Sequence, residues 1–341
     1  MLVALAAAAF AVGPAPVDGA AFRPPHGRAF HGVSGTAGRY RDFETFRHRV
    51  RAHPAVMEDF FPWGTALTRA LPLWRRTQTR GMLSLTTRLG SGELIRPGQI
   101  ANGKGDRYIL RLNRSIAASG QIVYIRLFPE MNGYWNPYCA FNSDGSARGN
   151  GHSTKSFRRA WRRFTIVVRG GPVARIDRRL HAMGLPPLRA KGVGKRLPRP
   201  KVAMVWNPQT IPTPAISANN PGRYWPGRRY VDWVGADIYS KFASPGVRAA
   251  LSRFYYSYRH VPFEIGEYSP WDSDPSGRFV SWLFQWAAQH GRAELLVYYR
   301  SVYANGPYDI NHYGSARRAL RRILNERRWI EYPSGTQGRA G

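Results

Sequence analysis

Ile125-Arg126-Leu127-Phe128-Pro129-Glu130-Met131-Asn132-Gly133-Tyr134-Trp135 joins a short apolar run to a proline, a glutamate and a glycine-containing turn. Alternate side chains of a strand share a face, so Tyr124, Arg126, Phe128 and Glu130 are expected to point the same way, with Glu130 at the C-terminal end. Seven further runs of this kind occur, at 29–33, 55–60, 81–86, 202–206, 231–239, 262–266 and 295–299, the quoted run itself spanning 122–128. Turn residues and a helix-periodic segment follow most of them, the arrangement of repeated β-α units. Eight such units in one chain predict an α/β fold of the closed (β/α)8 barrel type, a TIM barrel, as a single domain. No glycine-rich dinucleotide fingerprint follows the first run, which argues against an open doubly wound sheet. In a barrel of this kind the C-terminal strand ends carry the active site, which is where Glu130 falls.

Between the runs several helices are legible. Ser153 or Thr154 is placed to cap a helix with Phe157, Trp161, Phe164 and Val168 on one face. Val247, Leu251, Phe254 and Tyr258 mark a second, Phe279, Leu283, Trp286 and Ala287 a third, and Ala316, Leu320, Ile323 and Leu324 the last. These stripes read as core faces against the barrel. Residues 170–200 are rich in Gly, Pro and basic side chains, and are expected as a mobile surface excursion before the fifth strand. The barrel domain is therefore drawn over 28–333, with 334–341 as a flexible tail.

The chain has 341 residues, 43% hydrophobic and 13% aromatic, which is incompatible with a disordered chain. Met1 to Val12 is apolar and is followed by prolines and small residues, so 1–21 reads as a secretory signal peptide and the protein as extracellular, with no membrane span in the mature chain. The one cysteine, Cys139, allows no internal disulfide. The formal charge is +31 and is uneven: from Lys155 to Lys201 Asp177 is the only acid among many arginines. Such a field attracts acidic polymers, including those of a cell envelope. A nucleic-acid partner is not expected, because no recognised module is present, and a monomer is expected.

A second glutamate lies in Phe263-Glu264-Ile265-Gly266-Glu267-Tyr268, at the end of the seventh run. By strand alternation Phe263, Ile265 and Glu267 share one face, and Glu264 is expected on the other, toward the helices as an ion-pair partner. Taken with the Arg126-to-Trp135 block, Trp161, and Tyr230-Val231-Asp232-Trp233-Val234-Gly235 with Tyr239, the sequence resembles glycoside hydrolase family 26, the β-mannanase-type retaining (β/α)8 glycosidases of clan A. The resemblance runs from about Phe30 to Tyr332. It implies that Glu130 is the acid/base and Glu267 the nucleophile of a secreted retaining hydrolase acting on mannan or a related β-glucan or xylan. It also implies that Arg126 braces the site and Trp135 stacks on a bound sugar.

The chemistry of retention is consistent with such a pair, since one carboxyl must donate a proton and an ionised one roughly 5 to 5.5 Å away must attack the anomeric carbon. Glu130 is expected to have a raised pKa, through apolar neighbours and the second carboxylate. Tyr239, at the end of the sixth run, is placed to hydrogen-bond Glu267. The substrate-contacting set is read as Arg126, Asn132, Trp135, Trp206, Tyr239, Trp271 and Tyr299. One departure from the family stands beside the acid/base: Pro129 occupies the position where members usually have histidine, and it cannot bond a sugar or tune Glu130. On the eighth run Tyr298, Tyr299 and Arg300 stand where the family tends to carry a tryptophan, so an altered glycan preference is expected. No metal-ligand spacing is present and no cofactor is implied. The competing reading, from a different class, is a catalytically silent barrel that binds glycans or acidic envelope polymers through its basic face.

Overall fold

The computed structural model describes residues 19–35, 39–189, 192–272, 274, 276–301 and 306–334. The proposed leader and tail therefore lie almost wholly outside the described residues.

Eight parallel strands form the central sheet: β1 Ala29–Ser34, β2 Val56–Pro62, β3 Arg80–Thr86, β4 Val123–Leu127, β5 Val202–Trp206, β6 Trp233–Tyr239, β7 Phe263–Ser269 and β8 Ala293–Tyr299. Each of the eight sequence runs supplies one of them. β8 returns to β1, from Phe30 opposite Leu295 to Ser34 opposite Tyr299, which closes the barrel, and the short strand Trp329–Ile330 is added outside β1.

Helices α1 Tyr40–Val50, α2 Ala70–Arg76, α3 Pro97–Ala101, α4 Asp106–Ser119, α5 Thr154–Arg169, α6 Val173–His181, α7 Pro221–Tyr224, α8 Pro245–Ser257, α9 Arg278–Gln289 and α10 Gly314–Leu324 accompany the strands. Ser153 caps α5, its hydroxyl accepting from the Ser156 N–H at 3.0 Å. This satisfies one of the donors that a helix start leaves open. Between β5 and β6 the usual long helix is reduced to the four residues of α7 and two short 3-10 turns. None of the helices of the described residues is long and apolar enough to cross a membrane.

The excursion at 170–200 departs from expectation. Val173, Ile176 and Leu180 recur at helical spacing and form α6, with Ile176 and Leu180 buried. Gly171–Pro172 pairs with Arg196–Leu197, and Arg163 of α5 donates to the carbonyls of Pro186 and Pro187 at 2.7 and 3.0 Å. The many arginines masked an amphipathic stripe of only three apolar residues, and the segment is packed against α5.

The barrel interior has two zones. At the N-terminal end Phe22, Phe30, Val56, Met82, Tyr124 and Trp233 form an apolar plug, and Tyr124 donates to the Phe22 carbonyl at 2.6 Å while accepting from Arg80 at 2.9 Å. Toward the C-terminal end the inward positions become polar: Glu58, Ser84, Arg126, Asn207, Asp237 and Glu264 are all interior.

Two side-chain facings differ from strand alternation. Phe128 does not share the Arg126 face: β4 ends at Leu127, Phe128 has φ +51°, and its ring packs outward on Trp63, Tyr138 and Phe157. In β7, Phe263 and Ile265 face the helical shell while Glu264 points inward, its Oε1 4.0 Å from Arg126 Nε. A register shift against β6, where Ala236 pairs with Ile265 but Asp237 with Glu267, inserts an extra residue. This bulge turns Glu267 inward as well, because one unpaired residue reverses the parity of all that follow.

Candidate active site

Glu130 and Glu267 both open into one cleft of about 580 Å3 at the C-terminal end of the barrel. They reach it by different means. Glu130 lies beyond β4 in a turn with φ +52°, a conformation uncommon for a residue with a Cβ. That turn is held by its N–H on the Asn207 carbonyl at 2.7 Å and by Tyr138 donating to the Pro129 carbonyl at 2.7 Å. Strain of this sort persists only where surrounding contacts over-determine it. Glu267 lies in β7 itself, displaced inward by the bulge.

Glu267 is held at both oxygens. Arg126 Nη1 donates to Oε1 at 2.6 Å and the Tyr239 hydroxyl donates to Oε2, as the sequence suggested for Tyr239. Burial and the Glu267 charge hold the Tyr239 phenol well above its ordinary value, so it stays a donor. Arg126 is fully buried and also bonds Asp237 at 2.5 Å and Glu58 at 3.1 Å. One guanidinium thus stands among four carboxyl groups. Burial pushes Glu264 up to about 8 and Glu58 up to about 7, and it raises Asp237 well above the usual carboxylate range. The cluster sheds excess charge by keeping protons, since a single cation cannot compensate four buried anions. Gly266 is required beside it: a Cβ there would fall 2.6 Å from Asn207 Oδ1 and 2.8 Å from Arg126 Nε.

Glu130 has different surroundings. The Trp135 indole donates to Oε2 at 3.0 Å and the Gln209 amide to Oε1. Burial and then the Glu267 charge raise its pKa, against the opposing effect of Arg126 and these two donors. Trp135 reaches back across Gly133, where a Cβ would meet the indole at 2.5 Å. The other wall of the cleft is aromatic. Trp271 and Tyr299 pack edge-on against Tyr239, with centroids at 5.5 and 5.8 Å, and Tyr308 and Phe242 extend the surface.

Of the residues read as substrate-contacting, Trp135, Tyr239, Trp271 and Tyr299 line the cleft. Three do not. Arg126 is sealed beneath Glu267, and its Nη1 and Nη2 donate to carboxylates. Asn132 is fully buried and grips the main chain of Gln209, donating to its carbonyl at 2.9 Å and accepting from its N–H at 2.8 Å. Trp206 is fully buried outside the barrel against Trp225, Phe254 and Tyr258, because the last residue of β5 faces the shell and the following Asn207 faces in. Asp237 and Gln209 were missed. Asp237 is two residues before Tyr239 on the same strand, a signal that alternation could have used; Gln209 lies in a loop, where no periodicity points to it.

Solved structures share this architecture. The GH26A protein of Muricauda sp. MAR_2010_75 superposes with a TM-score of 0.56 at 14% identity, over 89% of this chain and 92% of that one. BoMan26A, a GH26 β-mannanase from Bacteroides ovatus, gives 0.57 at 12% identity over 92% and 94%. The chain shares the (β/α)8 barrel fold of these structures. The Bacillus subtilis mannanase BCman is similar to the same degree, with a TM-score of 0.55 at 13% identity over 90% and 88%. No protein-family model matches the sequence, and no curated protein matches it. The barrel fold that the resemblance to family 26 implies thus agrees with the comparison of backbones.

Proposed function

We propose that this protein is a secreted glycoside hydrolase that cleaves β-linked polysaccharide of the mannan kind with retention of configuration. The observation that carries the reading is the convergence of two carboxyl groups, from β4 and β7 on opposite sides of the barrel, into one aromatic-walled cleft with different hydrogen-bond surroundings. In the first step protonated Glu130 gives its proton to the glycosidic oxygen while a Glu267 oxygen attacks the anomeric carbon. The bond to the leaving sugar breaks and a glycosyl ester forms on Glu267. In the second, the Glu130 carboxylate takes a proton from water, the water oxygen attacks the same carbon, and Glu267 departs as carboxylate. Arg126 and Tyr239 fix the attacking carboxylate, so that its orientation is set before substrate arrives.

Pro129 leaves no side-chain donor where the family has histidine, and here Gln209 supplies a donor to Glu130. Trp135, Trp271 and Tyr299 offer flat apolar faces for sugar rings. The silent-barrel alternative has no observation in its favour at this cleft, whose two carboxyls are both positioned and accessible. The test is release of reducing sugar from a panel of mannan, glucomannan, xylan and β-glucan by the intact protein and by Glu267→Ala. We expect turnover on at least one member and a loss of about 10^3-fold or more in the variant, the scale for removing a covalent nucleophile. Product configuration, followed by NMR, should show retention. A folded protein inactive across the panel, or products of inverted configuration, would refute the assignment.

A further inference from the structure

Away from the cleft, on the outer face of α5, Lys155, Arg158, Arg159 and Arg162 line a groove of about 370 Å3 together with Ala182, Met183 and Leu185 from the turn after α6. Their spacing is i, i+3, i+4, i+7, so all four lie on one side of the helix, about 10 Å from end to end. Lys155/Arg159 and Arg158/Arg162 are like-charge pairs at i,i+4, an arrangement that is unfavourable for a helix left to itself.

Two features separate this stripe from a solvated basic face. First, the guanidinium groups are braced by main-chain carbonyls of two segments, the turn after α6 and the end of α7 with the residues that follow it. Arg158 donates to the Arg223 carbonyl, Arg159 to those of Met183 and Gly184 at 3.2 and 2.7 Å, and Arg162 to that of Pro226 at 2.7 Å. Neutral carbonyls hold the side chains in place without cancelling their charge, which lowers the ordering cost of a later anion contact. Second, among the described residues none of the four is in an ion pair with a carboxylate. The nearby acids are committed elsewhere: Asp177 accepts from the Leu188 N–H at 2.8 Å, Asp106 pairs with Arg163 and Asp232 with Arg169. In keeping with this, burial and the neighbouring Arg162 and Arg223 lower the Arg158 pKa.

We propose that this groove is an accessory site, separate from the cleft, that binds the carboxylate groups of an acidic polysaccharide. Its length fits two successive charged groups of a linear chain, and its aliphatic floor suits the carbon face of a sugar. A membrane surface fits less well, since the site is concave and none of the large exposed apolar side chains borders it. Single-stranded nucleic acid would call for stacking aromatics, and the groove is lined by none.

The experiment is calorimetric titration of the full chain with a polygalacturonate oligosaccharide, at low ionic strength and at about 0.5 M salt. Dextran sulfate and a single-stranded oligonucleotide form comparison arms. Arg158→Gln/Arg162→Gln is compared with Arg107→Gln/Arg114→Gln, which removes two charges from a stripe on α4, with circular dichroism to show that both remain folded. We expect salt-sensitive binding of polygalacturonate, weakened about tenfold or more in the α5 variant and nearly unchanged in the α4 variant. Equal weakening in both variants would mean that only net charge matters and would overturn the proposal. So would absence of binding at low salt, or binding of the oligonucleotide or dextran sulfate more tightly than polygalacturonate at this site. Because binding is read directly, failure here is distinguishable from failure of the hydrolase reading.

Discussion

Replacing Glu264 by glutamine should flatten the pH dependence of stability. Glu264 is fully buried, neither of its oxygens has a hydrogen-bond partner, and its folded-state pKa is pushed up to about 8 from an ordinary 4.5. Between these values the unfolded chain releases the proton and the folded chain keeps it. The folded state therefore binds more protons and stability falls as pH rises. Below about 4.5 both states are protonated and the penalty vanishes; above about 8 both are ionised and it is complete. From pH 5 to pH 8 the loss amounts to about 3–4 kcal/mol, at about 1.4 kcal/mol per pH unit and less at the two ends, where one of the states is only partly ionised. Glutamine keeps the volume and removes the titrating proton. Urea unfolding at pH 5 and pH 8 measures the effect: the wild-type protein should lose about 3–4 kcal/mol more than Glu264→Gln over that interval. Glu58, pushed up to about 7, raises Glu264 through its charge, so the difference between the two proteins reports Glu264 together with its coupling to Glu58. Equal losses in the two proteins would show that Glu264 titrates as in water, and the charge balance drawn around Arg126 would then be wrong.

Other outcomes follow from the same geometry. Tyr239→Phe removes one of the two donors on Glu267 and should lower kcat by about 10- to 100-fold with little change in KM, measured on whichever polysaccharide is turned over. Gln209→Ala removes a donor that holds the Glu130 pKa down, so the alkaline limb of the pH profile of kcat/KM should move to higher pH; an unmoved limb would deny Gln209 that role. Trp135→Ala and Trp206→Ala should part company. The first acts on KM and kcat at the cleft, whereas the second, removing a buried ring, should cost about 3–5 kcal/mol in denaturant unfolding.

Strand positions were legible because barrel strands are buried on both faces and read as short apolar runs whatever their neighbours are. For the same local reason Glu130 and Glu267 stood out: Glu267 directly follows such a run and Glu130 stands two residues past one, at the strand ends where barrels of this kind carry their sites. Helix α5 was legible from its cap and stripe, and α6 was missed because two buried side chains are a thin signal among arginines. The direction of Glu264 was misread because alternation assumes an unbroken strand, and the bulge exists only in the pairing of β7 with β6. Asn132 and Trp206 carry suitable chemistry for binding sugar, yet the fold spends one on the Gln209 main chain and the other on the helical shell. What the chain encodes locally is the period of its side chains and the residues that interrupt it. Which of those side chains meet solvent, substrate or one another depends on partners tens of residues away, and only the closed barrel brings them within hydrogen-bond distance.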